Sequence, residues 1–328
     1  MKHVNLLALT SALLLASCGG STTSILSPTS STPLDKDIAW VSPKGIPAAA
    51  FYDQGANENW QSFGDATQVA PFFANDNVDF VVFDATNGLT NIAKNNRNYK
   101  FASWISEGTF YLVSAKHSSV AEYEKGQTID AFVEKGNASY AFRHLAAHKW
   151  NWGELTSDDV TYETGVAAVK TKIEADANAY DYYVVAQPVL FALSQKVNFS
   201  LVLSLETEWA TLYEGEKIPA AGLFVNMTSY TNKKEACDAF IASTQARIVT
   251  AKENPAEAVK AFQEYGETKI ADRFGFAVGP FNKLQQNGAN GFGLIDGKNM
   301  DKAARMKIAN DFAGHVGLSA YSESLFID

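Results

Sequence analysis

The chain has 328 residues, 46% of them hydrophobic, enough apolar material for one large domain or two medium ones. With 27 basic against 36 acidic residues the formal net charge is −9, which argues against a nucleic-acid partner, because phosphate binding needs a basic face. The two cysteines, Cys18 and Cys237, are too far apart in the chain to form a disulfide framework, and neither has a metal-type spacing. His144 and His148 stand one helical turn apart, but Leu-Ala-Ala lies between them and no acid takes the place of an HExxH glutamate. No metal and no cofactor is expected.

In chain order, Met1–Ala16 reads as a secretory signal: Lys2 and His3 give a positive start, and Val4–Ala16 an apolar run. A membrane-spanning helix needs about 20 apolar residues, and this run is shorter. "LASC" then resembles the lipobox of bacterial lipoproteins, which implies cleavage before Cys18 and a diacylglycerol on its sulfur. "GGSTTSILSPTSSTPLD" follows, rich in Gly, Ser, Thr and Pro and almost uncharged, the composition of a flexible tether. Residues 1–17 are thus expected to be removed, and 18–36 to carry the lipid and the tether.

The body begins near Asp37. "DIAWVS" and "VDFVVFD" are short apolar runs bounded by polar residues, as buried parallel strands are. "FASWISEGTFYLVSAK" reads as two more strands about a Glu-Gly turn, and "TIDAFVE" as another, followed by a helix through "SYAFRHLAAHKW". This alternation predicts an α/β architecture with mixed, mostly parallel sheets.

One pattern occurs twice. "DFVVFDATNGLTNIAK" starts at Asp79 and "DYYVVAQPVLFALSQK" at Asp181; each runs acid, aromatic, valine-bearing strand, short turn, amphipathic helix, lysine. Two lobes built to one plan would place both turns at the carboxyl ends of strands, where open α/β sheets bind ligands.

From about Ile38 to Tyr265 the chain resembles the solute-binding proteins of bacterial ABC importers. It is most similar to the type II cluster that handles nitrate, sulfonates, taurine and pyrimidine precursors of thiamine. The resemblance rests on "GIPAAAF", "VDFVVFDATNGL", "GTFYLVS", "GQTIDAFVEKGNAS", "YDYYVVAQPVLFAL", "EWATLYEGEKIPAAGLFVN" and "NPAEAVKAFQEYG", in that order. It thins after Tyr265, where "FNKLQQNGANGFGLIDGKNMD" has no counterpart, and departs at "NASYAF", where many members carry Gly-Ser. It implies a bilobal fold with two crossover hinge strands, a small-molecule ligand, an ABC permease as partner and a monomer held outside the cytoplasm, in a periplasm or at the outer face of a single membrane. The crossings are expected at 112–117 and 223–228, which gives one lobe of 37–115 plus 226–328 and another of 116–225.

Candidate ligand residues sit on the predicted turns. Thr86, Asn87 and Gly88 follow a strand and open a helix, where unpaired N–H groups favour acceptors, although Thr and Asn are also ordinary caps. Ser42, Lys44 and Gly45 follow the first strand, and Lys44 offers charge. Asn137 and Ser139 precede the predicted helix of the second lobe. Gln187 ends the second repeat's strand, beside Pro188, whose place at a helix start is architectural. Trp40, Trp104 and Phe110 lie near strand ends, where an aromatic can stack on a flat ligand, and Thr109, beside Phe110, is a further candidate. The five arginines (97, 143, 247, 273 and 305) lie outside the proposed cleft turns, and a bidentate arginine clamp is the usual answer to a carboxylate or sulfonate. That favours a neutral or heteroaromatic ligand, with a small anion at a helix N-terminus left open.

There is no GxSxG elbow, Walker-type loop or HExxH motif. Cys237 reads as a small buried hydrophobe, and Asp158-Asp159 as capping acids. Two alternatives to a transport receptor remain: an enzyme on the same bilobal fold, as in menaquinone synthesis, and a stand-alone ligand-sensing lipoprotein.

Overall fold

A computed structural model describes residues 36–264, 272–275, 293–295, 297 and 300–328, and among these five strands lie on each side of a cleft. The strands are β1 (Trp40–Pro43), β2 (Trp60–Phe63), β3 (Phe80–Asp84), β4 (Tyr99–Glu107), β5 (Phe110–Ser114), β6 (Ile129–Phe132), β7 (Val160–Glu163), β8 (Tyr182–Ala186), β9 (Leu201–Ser204) and β10 (Pro219–Asn226). The first sheet has the order β2-β1-β3-β10-β4 and the second β7-β6-β8-β5-β9. Each sheet has two parallel pairings followed by two antiparallel ones, so in each a single strand runs against the other four. The expected mixed α/β architecture in two lobes is present.

Helices cover the sheets: α1 (Ala70–Asn75), α2 (Ala85–Asn95), α3 (Asn137–His148), α4 (Val166–Ala175), α5 (Val189–Leu193), α6 (Leu205–Leu212), α7 (Met227–Asn232), α8 (Lys234–Glu253), α9 (Pro255–Gln263) and α10 (Lys302–His315). The centre of the first sheet reads as a continuous apolar run because it is covered on both faces. Phe80 stacks on Phe240 of α8 at 4.4 Å between ring centroids on one side, and Phe83 meets Phe73 of α1 on the other. Val184 and Val185 in β8 likewise belong to cores on opposite faces of the second sheet.

The repeat is real in three dimensions. β3 and β8 hold the same third place, each between a parallel neighbour and the reversed strand. The acids that open them make the same lock. Asp79 donates its N–H to Ala39 O and accepts the Ala39 N–H on its carboxylate at 2.8 Å; Asp181 does both with Thr128. A lysine completes each, Lys233 at 3.3 Å and Lys116 at 3.0 Å.

The sheets put the crossings elsewhere than at 112–117 and 223–228. β5 pairs with β8 and β9 in the second sheet, and β10 with β3 and β4 in the first. The chain therefore crosses at Gly108–Thr109 and returns through 213–218. The Glu107-Gly108 turn joins strands of different sheets, so it is a crossing and not a hairpin. The two crossings touch: Gly108 N–H donates to Ile218 O at 2.6 Å. Beyond the predicted hinges, α10 reaches the second lobe at its end, where Phe312 packs on Trp209 and His315 on Tyr213.

Candidate functional site

A cavity of about 270 Å³ lies between the sheets, where Pro43, Phe63 and Asp84 of the first lobe and Phe132, Thr164 and Ala186 of the second end or follow parallel strands. Its walls are mostly apolar, with Ile46, Pro47, Phe83, Phe110, Val133 and Val189 among them. The lobes meet around it: Ala66 N–H donates to Thr164 O at 3.3 Å, and the Asn137 side-chain amide reaches Pro219 O and Ala220 O.

Of the residues singled out in the sequence, Lys44, Thr109 and Gln187 line this cavity, as do Pro43, Gly45, Pro47, Phe110 and Pro188 around them. Lys44 is exposed at the wall and its stem runs beside Gly275. The Gln187 backbone N–H holds Thr109 O at 2.9 Å, and its side-chain oxygen accepts Phe191 N–H, which seats the start of α5.

The others sit in the framework. Trp40 is fully buried, stacked on Trp60 with 6.1 Å between centroids. Ser42 accepts the Trp60 indole N–H at 3.0 Å. Trp104 is buried edge-on to Phe101 and donates to Arg305 O. Thr86 is buried in the first turn of α2, while Asn87 opens onto a groove outside the cavity. Gly88 lies under the Phe224 ring, where a Cβ would come within 2.2 Å of Cζ. Asn137 and Ser139 are inside α3, not before it, because α3 already starts at Asn137. Both are buried, and Ser139 Oγ donates to Phe132 O at 2.8 Å. Cys18 and the tether lie outside the described residues, as does most of "FNKLQQNGANGFGLIDGKNMD".

Sequence reasoning passed over the acid that ends β3. Asp84, and not Thr86 or Asn87, is the N-cap of α2: its Oδ1 accepts Asn87 N–H at 2.9 Å. Its Oδ2 accepts the backbone N–H of Asn137, across the cleft in the first turn of α3, at 2.8 Å. One carboxylate thus caps a helix in each lobe. Burial pushes the carboxyl up to about 6, and the N–H groups of Asn137, Asn87 and Thr86 offset only part of that. The signal was available, since an Asp at a strand end three residues before the second helical turn is a capping position. That it also caps a distant helix was not.

Glu107, the last residue of β4, adds a second carboxylate to the wall. It makes no side-chain hydrogen bond or ion pair among the described residues. No arginine is among the described residues that line the cavity. The start of α4 also faces it, through Gly165, Val166 and Ala167, and no side chain caps that helix. The arrangement can hold a small apolar body and hydrogen-bond polar groups at its edges.

No family model matches the chain, and no curated protein is significantly similar to it in sequence. Solved structures are similar in fold. The zinc-bound ligand-binding component of an ABC-type import system from Staphylococcus aureus superposes with a TM-score of 0.65 at 10% identity, over 89% of this chain and 96% of that one. An ABC transporter protein from Parabacteroides distasonis gives 0.60 at 16% identity, over 90% and 99%. The alkanesulfonate-binding protein of Xanthomonas axonopodis gives 0.58 at 13%, over 89% and 94%. The fold is the periplasmic binding protein fold, described under that name for a Candida albicans protein that aligns with 88% of this chain.

Proposed function

We propose that this protein is an extracytoplasmic solute receptor that captures a small molecule between its lobes and presents it to an ABC permease. The observation that carries the reading is the cavity itself, mostly apolar and placed where the strand ends of two matching sheets converge. Its size suits a single substituted ring, since a void of roughly 150 Å³ holds one benzene. Apolar walls, with no arginine among the described lining residues, favour a neutral or heteroaromatic ligand.

The work is binding and lobe closure, without chemistry on the ligand. The crossings at Gly108–Thr109 and 213–218 serve as the hinge, because few residues there link the sheets and they touch one another. Lipid on Cys18 holds the receptor at the membrane, and the Ser/Thr tether sets its reach; two acyl chains anchor a protein stably where one does not.

A thermal-shift screen of pyrimidines, flavins, amino acids, amines and sulfonates tests the receptor, since a ligand that binds only the native state raises the melting temperature. Turnover of a substrate, with no shift from any unreactive small molecule, would replace this reading with an enzyme. Cys18→Ala tests the anchor: the variant leaves the membrane fraction, and its retention there would refute lipidation.

A further inference from the structure

Asp84 stands on the cavity wall with an ionisable carboxyl and, among the described residues, no ion-pair partner. It accepts N–H groups from Asn87 on Oδ1 at 2.9 Å and from Asn137 on Oδ2 at 2.8 Å. A carboxylate offers about four acceptor sites, so these two backbone donors leave it acceptor capacity for a ligand. No lysine or arginine among the described residues forms an ion pair with it, and its shift comes chiefly from burial. Glu107, on the same wall, is also without a side-chain partner among the described residues. Lys44 is the one basic side chain among the described lining residues. It lies by Gly64 and Gly275, whereas Asp84 lies by Gly136.

We propose that Asp84 determines the ligand class: the cleft selects a nitrogen-bearing ligand that presents an N–H donor, neutral or protonated, to this carboxylate from an apolar, ring-sized body. This rests on the solute-receptor reading and narrows it. A partly buried carboxylate is stabilised by a donor or a cation and destabilised by a second anion. The same group occupies the Asn137 N–H at the start of α3, a place that would otherwise suit an anionic ligand group. A sulfonate or carboxylate directed at this wall would meet Asp84 instead of a free N–H. An amine or amino-substituted heteroaromatic would meet an unused acceptor site.

Matched ring compounds test this on the purified full chain by thermal shift and calorimetry: benzylamine and aminopyrimidine as donors, benzoate and benzenesulfonate as anions. The wild type is expected to be stabilised by the donors and not by the anions. Asp84→Asn is expected to weaken donor binding by about tenfold or more and to lose the discrimination against anions. Asp84→Ser, which keeps a cap acceptor for α2, serves if the amide variant does not fold. Wild-type binding of an anion as tight as that of its matched amine would overturn the assignment and leave the receptor reading standing. No shift from any of these compounds, nor from any in the wider screen, would overturn both.

Discussion

Gly108 and Ile218, one on each crossing between the lobes, are joined by a 2.6 Å hydrogen bond from the glycine N–H to the isoleucine carbonyl. The Ile218 N–H is held in turn by Glu206 Oε2 of α6, at 3.1 Å. Both connections therefore answer to one half-buried carboxyl, and a Cβ on Gly108 would sit 3.1 Å from it.

Burial pushes the Glu206 carboxyl up to about 7, and the Ile218 N–H and nearby Lys217 offset only part of the shift. A carboxyl raised in the folded state stabilises the fold fully below its unfolded value, about 4.3, and that contribution is lost as pH rises through about 7. Glu206→Gln keeps the acceptor for Ile218 and loses the charge. The variant is expected to gain on the wild type from pH 5 to pH 8.5, ending about 1–3 kcal/mol more stable. Urea melts across that range check it; parallel curves would place the titration elsewhere.

Asp181 has the opposite sign. Burial acts to raise its carboxyl, but the Thr128 N–H, Lys116 and the Thr128 hydroxyl together hold it well below the usual carboxylate range. Its contribution is present above the unfolded value and is lost as pH falls below about 4. Asp181→Asn is expected to lose about 1–2 kcal/mol at pH 7, with the deficit shrinking on acidification. Equal deficits at pH 7 and pH 3.5 would show that the charge is not what matters.

Gly88→Ala forces a methyl into the Phe224 ring, which is fully buried between β3 and β4. The expected loss is about 1–3 kcal/mol with an unchanged denaturant slope. A variant as stable as the wild type would mean that the ring yields freely.

Ser42→Ala leaves the Trp60 indole N–H without its partner in a fully buried aromatic cluster. Stability is expected to fall by about 1–3 kcal/mol while ligand affinity stays unchanged, because Ser42 supports the sheet beneath the cleft. A selective loss of affinity, with the melting temperature preserved, would put Ser42 in contact with ligand.

Much of the fold is legible in the amino-acid order because it is local. The strands at Phe80 and Tyr182 announce themselves as apolar runs, and the repeated acid in front of each is legible because the same lock needs the same residue twice. Strand partners are another matter. β5 and β10 look like any buried strand, and only pairing assigns β5 to the second sheet and β10 to the first, which moves both crossings. A Glu-Gly turn between two apolar runs satisfies a hairpin and a crossing equally well.

The cleft divides in the same way. Sequence placed Lys44, Thr109 and Gln187 at strand ends, and the cavity lies there. It could not tell these from Trp40, Ser42 and Trp104, which also sit on strands, because which core or cavity a side chain meets depends on what packs over the sheet. Asp84 shows the limit most sharply. Its place before a helix is written in the chain, and so is its role as a cap for α2. Its second bond, to Asn137, exists only because the two lobes meet, and no local spacing encodes a contact made by that meeting.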